Sequence, residues 1–251
     1  MFADVTSANV VGYAQAQGRF GAKILGAQFV NIGEDQEIDI QDLIPVGPYT
    51  GEYSKAGVYI QFLNENGVDT ATYYFYDTAE KTGSRPAPAR YGWYTDANRF
   101  QKAEGVTVKP GEGIYFYAPD DTWYLRSNGE VAQSPTQITL RFGAKMVVNP
   151  LPVPVDMQKI SVASGYDPSG DYSKAGLYLQ VLNENGVDTA TFYFYDTAEK
   201  TGSRPAPARF GWYTDANRFQ LGELTVQPGE GIYVYAPDDT WAIQFPGAFS
   251  K

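Results

Sequence analysis

The 251-residue chain contains no cysteine and no histidine. The first absence removes disulfides, thiolate nucleophiles and sulfur-based metal sites. The second removes the usual base of nucleophilic triads and the commonest ligand of zinc and iron. Charge is scarce too. Only 19% of residues are Asp, Glu, Lys or Arg, and 29 acidic against 19 basic side chains leave a net charge of -10. So acidic a chain repels phosphate backbones and anionic headgroups, which argues against nucleic acid as a partner. No apolar run approaches the ~18 residues that a membrane helix needs, which argues against membrane insertion. Met1-Phe2-Ala3-Asp4 has neither a basic nor an apolar stretch, so no signal peptide is visible. The expectation is a mature chain from which a signal peptide was removed, with Met1 added for expression.

What is present is a β-protein composition. Hydrophobic residues reach 43%, enough for a packed core, and aromatics reach 15%, with 20 tyrosines. The 26 glycines and 16 prolines supply turns. Abundant Tyr, Thr, Gly, Asn and Asp with few lysines suggests a secreted protein.

The strongest signal is an internal repeat. Residues 53–101 and 172–220 align without a gap over 49 positions and differ at five: Val58/Leu177, Ile60/Leu179, Phe62/Val181, Tyr73/Phe192 and Tyr91/Phe210. Pro110–Trp123 matches Pro228–Trp241 with one change, Phe116/Val234, and Arg19–Lys23 matches Arg141–Lys145. The period is too long for a solenoid. The expected organisation is two tandem domains, 1–132 and 133–251, joined near Val131–Pro135.

Local patterns predict strands. Val58–Leu63, an Asn-Gly turn within Asn64–Gly67, and Val68–Asp77 read as a hairpin. Ile114–Tyr117 and Trp123–Arg126 follow as strands, and Lys23–Ile32 and Thr136–Val148 are candidates at the front of each repeat. Only Ile38–Ile44, with Asp39 as a cap, suggests a short helix. The predicted fold is all-β: two tandem homologous sandwich or barrel domains.

The substitutions between repeats are informative. Val58, Ile60 and Phe62 alternate along one strand, so they share a face. All three change while remaining apolar, as a core face does when its volume is held. Opposite them, Tyr59, Gln61, Thr70, Thr72, Tyr74 and Tyr76 are identical in both repeats, as are Tyr115 and Tyr117. Two readings follow: recent duplication, or a Tyr/Thr face that meets another sheet, another subunit or a glycan.

Chemistry has few places to reside. Paired carboxylates for glycoside hydrolysis are conceivable among Glu65, Asp69, Asp77, Glu80, Asp96, Glu112, Asp120 and Asp121, but no spacing singles out a pair and most stand at turns. Calcium is a weaker option at Asp96-Ala97-Asn98, Asp120-Asp121 and Asp167–Asp171, none of which matches a calcium loop with its closing Glu. Otherwise no cofactor or metal is expected. Thr78–Arg90 is a long Pro-containing connection, flanked by Arg85 and Arg90 and repeated with Arg204 and Arg209. It reads either as a rigid loop packed on its own domain or as a contact surface.

Four motifs together carry a resemblance: Asn9-Val10-Val11-Gly12-Tyr13, Gly92-Trp93-Tyr94, Pro110-Gly111-Glu112-Gly113-Ile114-Tyr115 and Asn128-Gly129-Glu130-Val131. The chain resembles a group of uncharacterised, secreted, β-rich bacterial surface proteins that begin with a similar Asn-Val-Val-Gly-Tyr segment. The resemblance implies export to an extracellular or cell-surface place and implies no activity. Repeat two departs from it, because Trp241–Phe245 leads to no counterpart of Asn128–Val131.

The reading from sequence is a non-enzymatic extracellular structural protein that assembles with itself. Ala8, Asn9, Val10, Val11, Gly12 and Tyr13 form a spare strand, expected to complete an open sheet edge in the next molecule and so build a head-to-tail filament. Further interface candidates are Arg85, Arg90, Arg204, Arg209, Tyr74, Tyr76, Tyr193 and Tyr195. The alternative is a glycan-binding surface protein that stacks sugars on Trp93, Trp123, Trp212 and Trp241. A carboxylate-based hydrolase ranks third.

Overall fold

The computed structural model describes residues 11–17, 21–25, 37–47, 57–63, 69–96, 101–120, 122–131, 134–164, 176–182, 188–199, 201–203, 205–215 and 220–247. In repeat one the strands are β1 (Val11–Gln17), β2 (Gly21–Leu25), β3 (Ile38–Asp39), β4 (Ile44–Val46), β5 (Tyr59–Leu63), β6 (Asp69–Thr78), β7 (Arg90–Thr95), β8 (Thr107–Val108), β9 (Ile114–Ala118) and β10 (Tyr124–Glu130). Repeat two carries β11 (Thr136–Thr139), β12 (Gly143–Val148), β13 (Val155–Asp156), β14 (Ser161–Ser164), β15 (Tyr178–Leu182), β16 (Asp188–Thr197), β17 (Arg209–Thr214), β18 (Thr225–Val226), β19 (Gly231–Ala236) and β20 (Ala242–Phe245). The protein is all-β. Among the described residues the only helical pieces are two 3₁₀ turns, Ile40–Asp42 and Met157–Lys159.

Strand order follows the sequence repeat. A five-stranded antiparallel sheet β2-β9-β5-β6-β7, a three-stranded sheet β1-β10-β4 and a pair β3-β8 recur as β12-β19-β15-β16-β17, β11-β20-β14 and β13-β18. These sheets are open. The barrel alternative is not realised among the described residues.

One hydrophobic cluster lies in each repeat. Repeat one gathers Val58, Ile60, Phe75, Trp93, Ile114 and Phe116 from the five-stranded sheet against Ile40, Leu43, Trp123 and Leu125. Repeat two gathers Leu177, Leu179, Phe194, Trp212, Ile232 and Val234 against Met157, Ile160, Trp241 and Ile243. The alternating face expected from sequence is therefore the core face. Ile60 and Leu179 are fully buried, and Phe62 and Val181 sit at the cluster margins. The short helix expected over Ile38–Ile44 is a single 3₁₀ turn between two strands, capped as expected by Asp39: its Oδ1 accepts from the Gln41 N–H at 2.9 Å, and Asp156 does the same for Gln158.

These turns place a glutamine at the outer edge of the large sheet, beside the 101–103 segment, whose Ala103 N–H also donates to the Trp93 carbonyl at 2.9 Å. Gln41 Oε1 accepts the Trp93 N–H at 3.1 Å, while its Nε2 donates to the carbonyls of Trp93 (3.1 Å) and Ala103 (2.6 Å). Gln158 repeats the arrangement on Trp212 and Gly222. An edge strand left with bare amides would be a template for pairing, and the side-chain amide covers it. Gly92 and Gly211, with φ near 111° and 113°, make room, because a Cβ at either would collide with the glutamine Oε1. Each tryptophan also donates its indole N–H to a buried carbonyl, Trp93 to Leu43 at 2.8 Å and Trp212 to Ile160 at 2.9 Å.

Several expectations are corrected. Thr136–Val148 is two strands broken at Leu140–Phe142, with Gly143 at φ 94°. The segment Arg90–Thr95, not anticipated as a strand, is the sheet edge. The Thr78–Arg90 connection packs on its own repeat only at its ends, where Thr78 and Arg90 are buried. It is a hairpin tip tied by paired Lys81 and Ala87 amides (2.8 and 3.0 Å), with residues 79–86 exposed. The spare strand is not spare. Val11, Gly12 and Tyr13 pair with Glu130, Gly129 and Asn128 of the same chain. β20 is bonded on both sides, by β11 and β14, so the open edge expected in repeat two is closed. Asn128–Glu130 lacks a counterpart because the β1–β10 ladder runs for seven residue pairs and the β11–β20 ladder for four. Ala8, Asn9 and Val10, the Asn64–Gly67 turn and most of Lys23–Ile32 lie outside the described residues.

Gln41→Ala orphans the N–H of a fully buried Trp93. The expected loss is about 1–3 kcal/mol in urea unfolding, with Gln158→Ala alike, whereas alanine at the exposed Gln137 stays within about 0.5 kcal/mol. Equal stability for all three variants would show that the glutamine clamp contributes nothing.

Candidate functional site

Outward from the core, the five-stranded sheets present tyrosines. Register places Tyr117, Tyr59, Tyr74 and Tyr94 directly opposite one another on β9, β5, β6 and β7. Tyr235, Tyr178, Tyr193 and Tyr213 form the same row in repeat two. Tyr59 stacks on Tyr117 with ring centroids 4.5 Å apart, and Tyr178 on Tyr235 at 4.8 Å. Such cross-strand pairs each contribute about 0.2–1 kcal/mol, so the rows stiffen the sheet whatever else they do. A second row is mixed: Tyr115 stands opposite Gln61, and Gln61 opposite Thr72, with the Gln61 amide donating to the Thr72 hydroxyl at 3.3 Å.

The other end of the face is closed. Arg90 and Tyr76 are buried, with the guanidinium 5.1 Å from the Tyr76 ring centroid and 5.7 Å from that of Tyr94. Arg209 lies 4.4 Å from the Tyr195 ring and 5.7 Å from that of Tyr213. Arg90, Arg209, Tyr76 and Tyr195 were expected at an interface. Their burial within the chain removes them from it, the cation being held by aromatic faces instead of a partner. Tyr74 and Tyr193 remain half-buried, Arg85 is exposed at the hairpin tip, and Arg204 lies outside the described residues.

The tryptophans expected to stack sugars are core residues. Trp93 and Trp212 are fully buried, and Trp123 and Trp241 are nearly so. A strand bearing Tyr94 outward must turn Trp93 inward, since successive side chains alternate. The large exposed aromatics are Tyr91, Phe142 and Phe210.

The residues that sequence reasoning left unconnected are those joining the repeats. Tyr115 and Tyr233 occupy equivalent positions in the two copies, and their hydroxyls meet at 2.6 Å. Met146 and Val148 are buried beside them. The Lys109–Gly113 turn of repeat one lies along the outer edge of β12 in repeat two. Val148 N–H donates to the Gly111 carbonyl at 3.0 Å and Gly113 N–H to the Met146 carbonyl at 3.1 Å, which sets Glu112 opposite Val147. Gly111, at φ 83°, is required here because a Cβ would strike Ile138 across the contact. Lys145 is half-buried, its Nζ donating to the Thr139 carbonyl at 2.9 Å. Burial lowers its pKa, and the Glu112 charge from the other repeat opposes that shift.

Among the described residues, the candidate carboxylates stand at turns and strand ends. The Asp120 carboxylate is engaged by the Thr122 N–H at 2.8 Å and by the Thr122 hydroxyl, and Asp238 holds Thr240 likewise. Those hydrogen bonds keep both carboxyls below their ordinary range. Asp77, Glu80 and Asp96 are exposed at the ends of strands. No group of three potential metal ligands occurs among the described residues. Asp167–Asp171 lies outside them, as do Glu65, Asn98 and Asp121. A shallow depression of ≈ 450 Å³ in repeat one is lined by Tyr73, Lys102 and Glu104, among others. In repeat two Phe192 and Leu221 replace Tyr73 and Lys102 there, so its polar character does not recur. Among the described residues no helix is long and apolar enough to cross a membrane, which says nothing of strands. Compared with family models, curated proteins and solved structures, the chain matches none.

Burial, together with the hydrogen bond to Tyr115, holds the Tyr233 phenol well above the ordinary tyrosine range. A group raised by folding supports the folded contact fully below its unfolded pKa, about 10 for tyrosine, and that support is lost as pH climbs toward the folded value. In a ring-labelled NMR titration, Tyr233 is therefore expected to ionise above the ~10 of a free tyrosine, with the inter-repeat contact weakening above that pH. Titration of Tyr233 at the free-tyrosine value of ~10 would contradict the contact.

Proposed function

We propose that the chain is a non-enzymatic structural protein of the cell exterior, built as two tandem homologous β-sandwich domains that arose by duplication, and that it assembles with copies of itself. What carries this reading is the contact of Tyr115 with Tyr233. Equivalent residues of nearly identical units touch beside a directional contact of the Gly111–Gly113 turn with β12, so a surface of one unit is matched to a different surface of another. Low charge density adds to it, because few charged side chains need to be desolvated on packing. The N-terminal strand is engaged with β10, so the assembly element in this reading is the unit-to-unit surface.

A second reading, glycan binding at the cell surface, is favoured by one observation. The tyrosine rows bear amide and hydroxyl side chains beside half-buried rings, the combination that lets a ring stack on a sugar while neighbours bond its hydroxyls. It passes from the four tryptophans to Tyr59, Tyr117, Tyr178 and Tyr235.

Light scattering and negative-stain imaging across micromolar to millimolar protein separate the two. Self-assembly predicts particles that grow with concentration and no turnover of glycosides. A chain that remains monomeric throughout contradicts it. Retention on insoluble polysaccharide that falls at least tenfold in Tyr59→Ala/Tyr178→Ala would promote glycan binding.

A further inference from the structure

We infer that the contact between the repeats exchanges between molecules: repeat two of one copy docks on repeat one of another through the same residues, so the closed monomer and an open head-to-tail chain share one interface. This rests on the self-assembly reading and names the surface and its partner, a second copy of this chain.

The contact is separable. The hydrophobic cluster of repeat one draws only on residues up to Val131, and that of repeat two only on residues from Ile138 onward. Among the described residues, parting the repeats breaks two backbone hydrogen bonds, the Tyr115–Tyr233 hydroxyl pair, the packing of Met146 and Val148 and the approach of β2 to β12 and β19, and it touches repeat two's cluster only at its rim, at Ile138 and Val147. It bares the edge of β12, whose outward amides would seek a new strand. The segment that fits it, with a glycine where Ile138 needs space, is the Gly111–Gly113 turn of any copy.

Topology then dictates the product. Among the described residues one turn, Gly111–Gly113, and one receiving edge, β12, meet across the repeats, while the identical turn at Gly229–Gly231 bonds to Asn149 of its own repeat. Joined within a chain, turn and edge close a monomer; joined between chains they leave one of each free at the ends, and such a series need not terminate. Only five residues, 131–135, separate β10 from β11. A short tether gives an effective concentration on the order of millimolar, so closure dominates in dilute solution and exchange competes at millimolar chain.

The absence of native cysteine makes the test clean. Glu112 and Val147 face each other as a non-hydrogen-bonded antiparallel pair, whose Cα atoms lie about 4.5 Å apart. That is inside the range of about 4.4–6.8 Å that a disulfide spans. Glu112→Cys and Val147→Cys chains, mixed at millimolar concentration and oxidised, are expected to give several-fold more covalent dimer than either alone. The double variant, oxidised while dilute, is expected to stay monomeric when concentrated and to assemble like the unmodified chain once reduced. Deleting residues 132–133, which needs no cysteine, strains closure and is expected to lower the onset of association at least tenfold. A mixture with no excess of dimer, or an oxidised double variant that assembles as readily as the reduced one, overturns exchange while leaving self-assembly standing. An unmodified chain that never assembles overturns both.

Discussion

A glutamine side chain on the edge of each large sheet is the constraint from which the rest follows. Gln41 and Gln158 satisfy the outward N–H and C=O of Trp93 and Trp212, as a neighbouring strand would. Because each glutamine belongs to a 3₁₀ turn leading into the small sheet, the same bonds tie the two sheets of a repeat together. The indole N–H of each tryptophan, bound to the carbonyl at the far side of that turn, completes the tie. With the tryptophan so fixed inward, alternation turns Tyr94 and Tyr213 outward, and register carries the tyrosine row across four strands.

This division of faces leaves the outer one to make contacts. In one place its partner is visible: Tyr115 of one repeat meets Tyr233 of the other, and the Gly111–Gly113 turn lines the edge of β12. Edge strands are covered in different ways in one chain. β7 and β17 meet a side-chain amide from their own repeat, and β12 meets a turn from the other repeat. The first kind ties a repeat to itself and is inseparable from its core. The second joins two repeats through few bonds and touches repeat two's cluster only at Ile138 and Val147.

Much of this was legible in the residues. The alternation of Val58, Ile60 and Phe62 and their apolar replacement in repeat two marked the core face, and Asp39 marked the start of a turn. The all-β class followed from composition and turn residues. Other features depend on contacts distant in sequence. The Trp93 environment needs Gln41, fifty-two residues away, and only the short Asp-x-Gln match of Asp39–Gln41 with Asp156–Gln158, surviving in otherwise divergent fronts, hinted at it. The pairing of the N-terminal strand is not legible locally, because its partner, Asn128–Glu130, lies at the far end of the same repeat. The four tryptophans were misjudged because a ring's exposure depends on which way its strand faces. Tyr115 and Tyr233 were noticed as invariant, but that they touch follows from the placement of one repeat on the other, which no local pattern encodes.

The central claim is that two separately cored repeats share a small contact that opens without unfolding either. Amide hydrogen exchange followed by NMR tests it most directly. The Gly113 and Val148 amides, bonded across the repeats, are predicted to exchange far faster than the Phe75 and Phe194 amides, bonded within them to Val58 and Leu177. Exchange of Gly113 and Val148 at the slow rate of Phe75 and Phe194 would mean that the contact opens only with global unfolding, and would contradict the account.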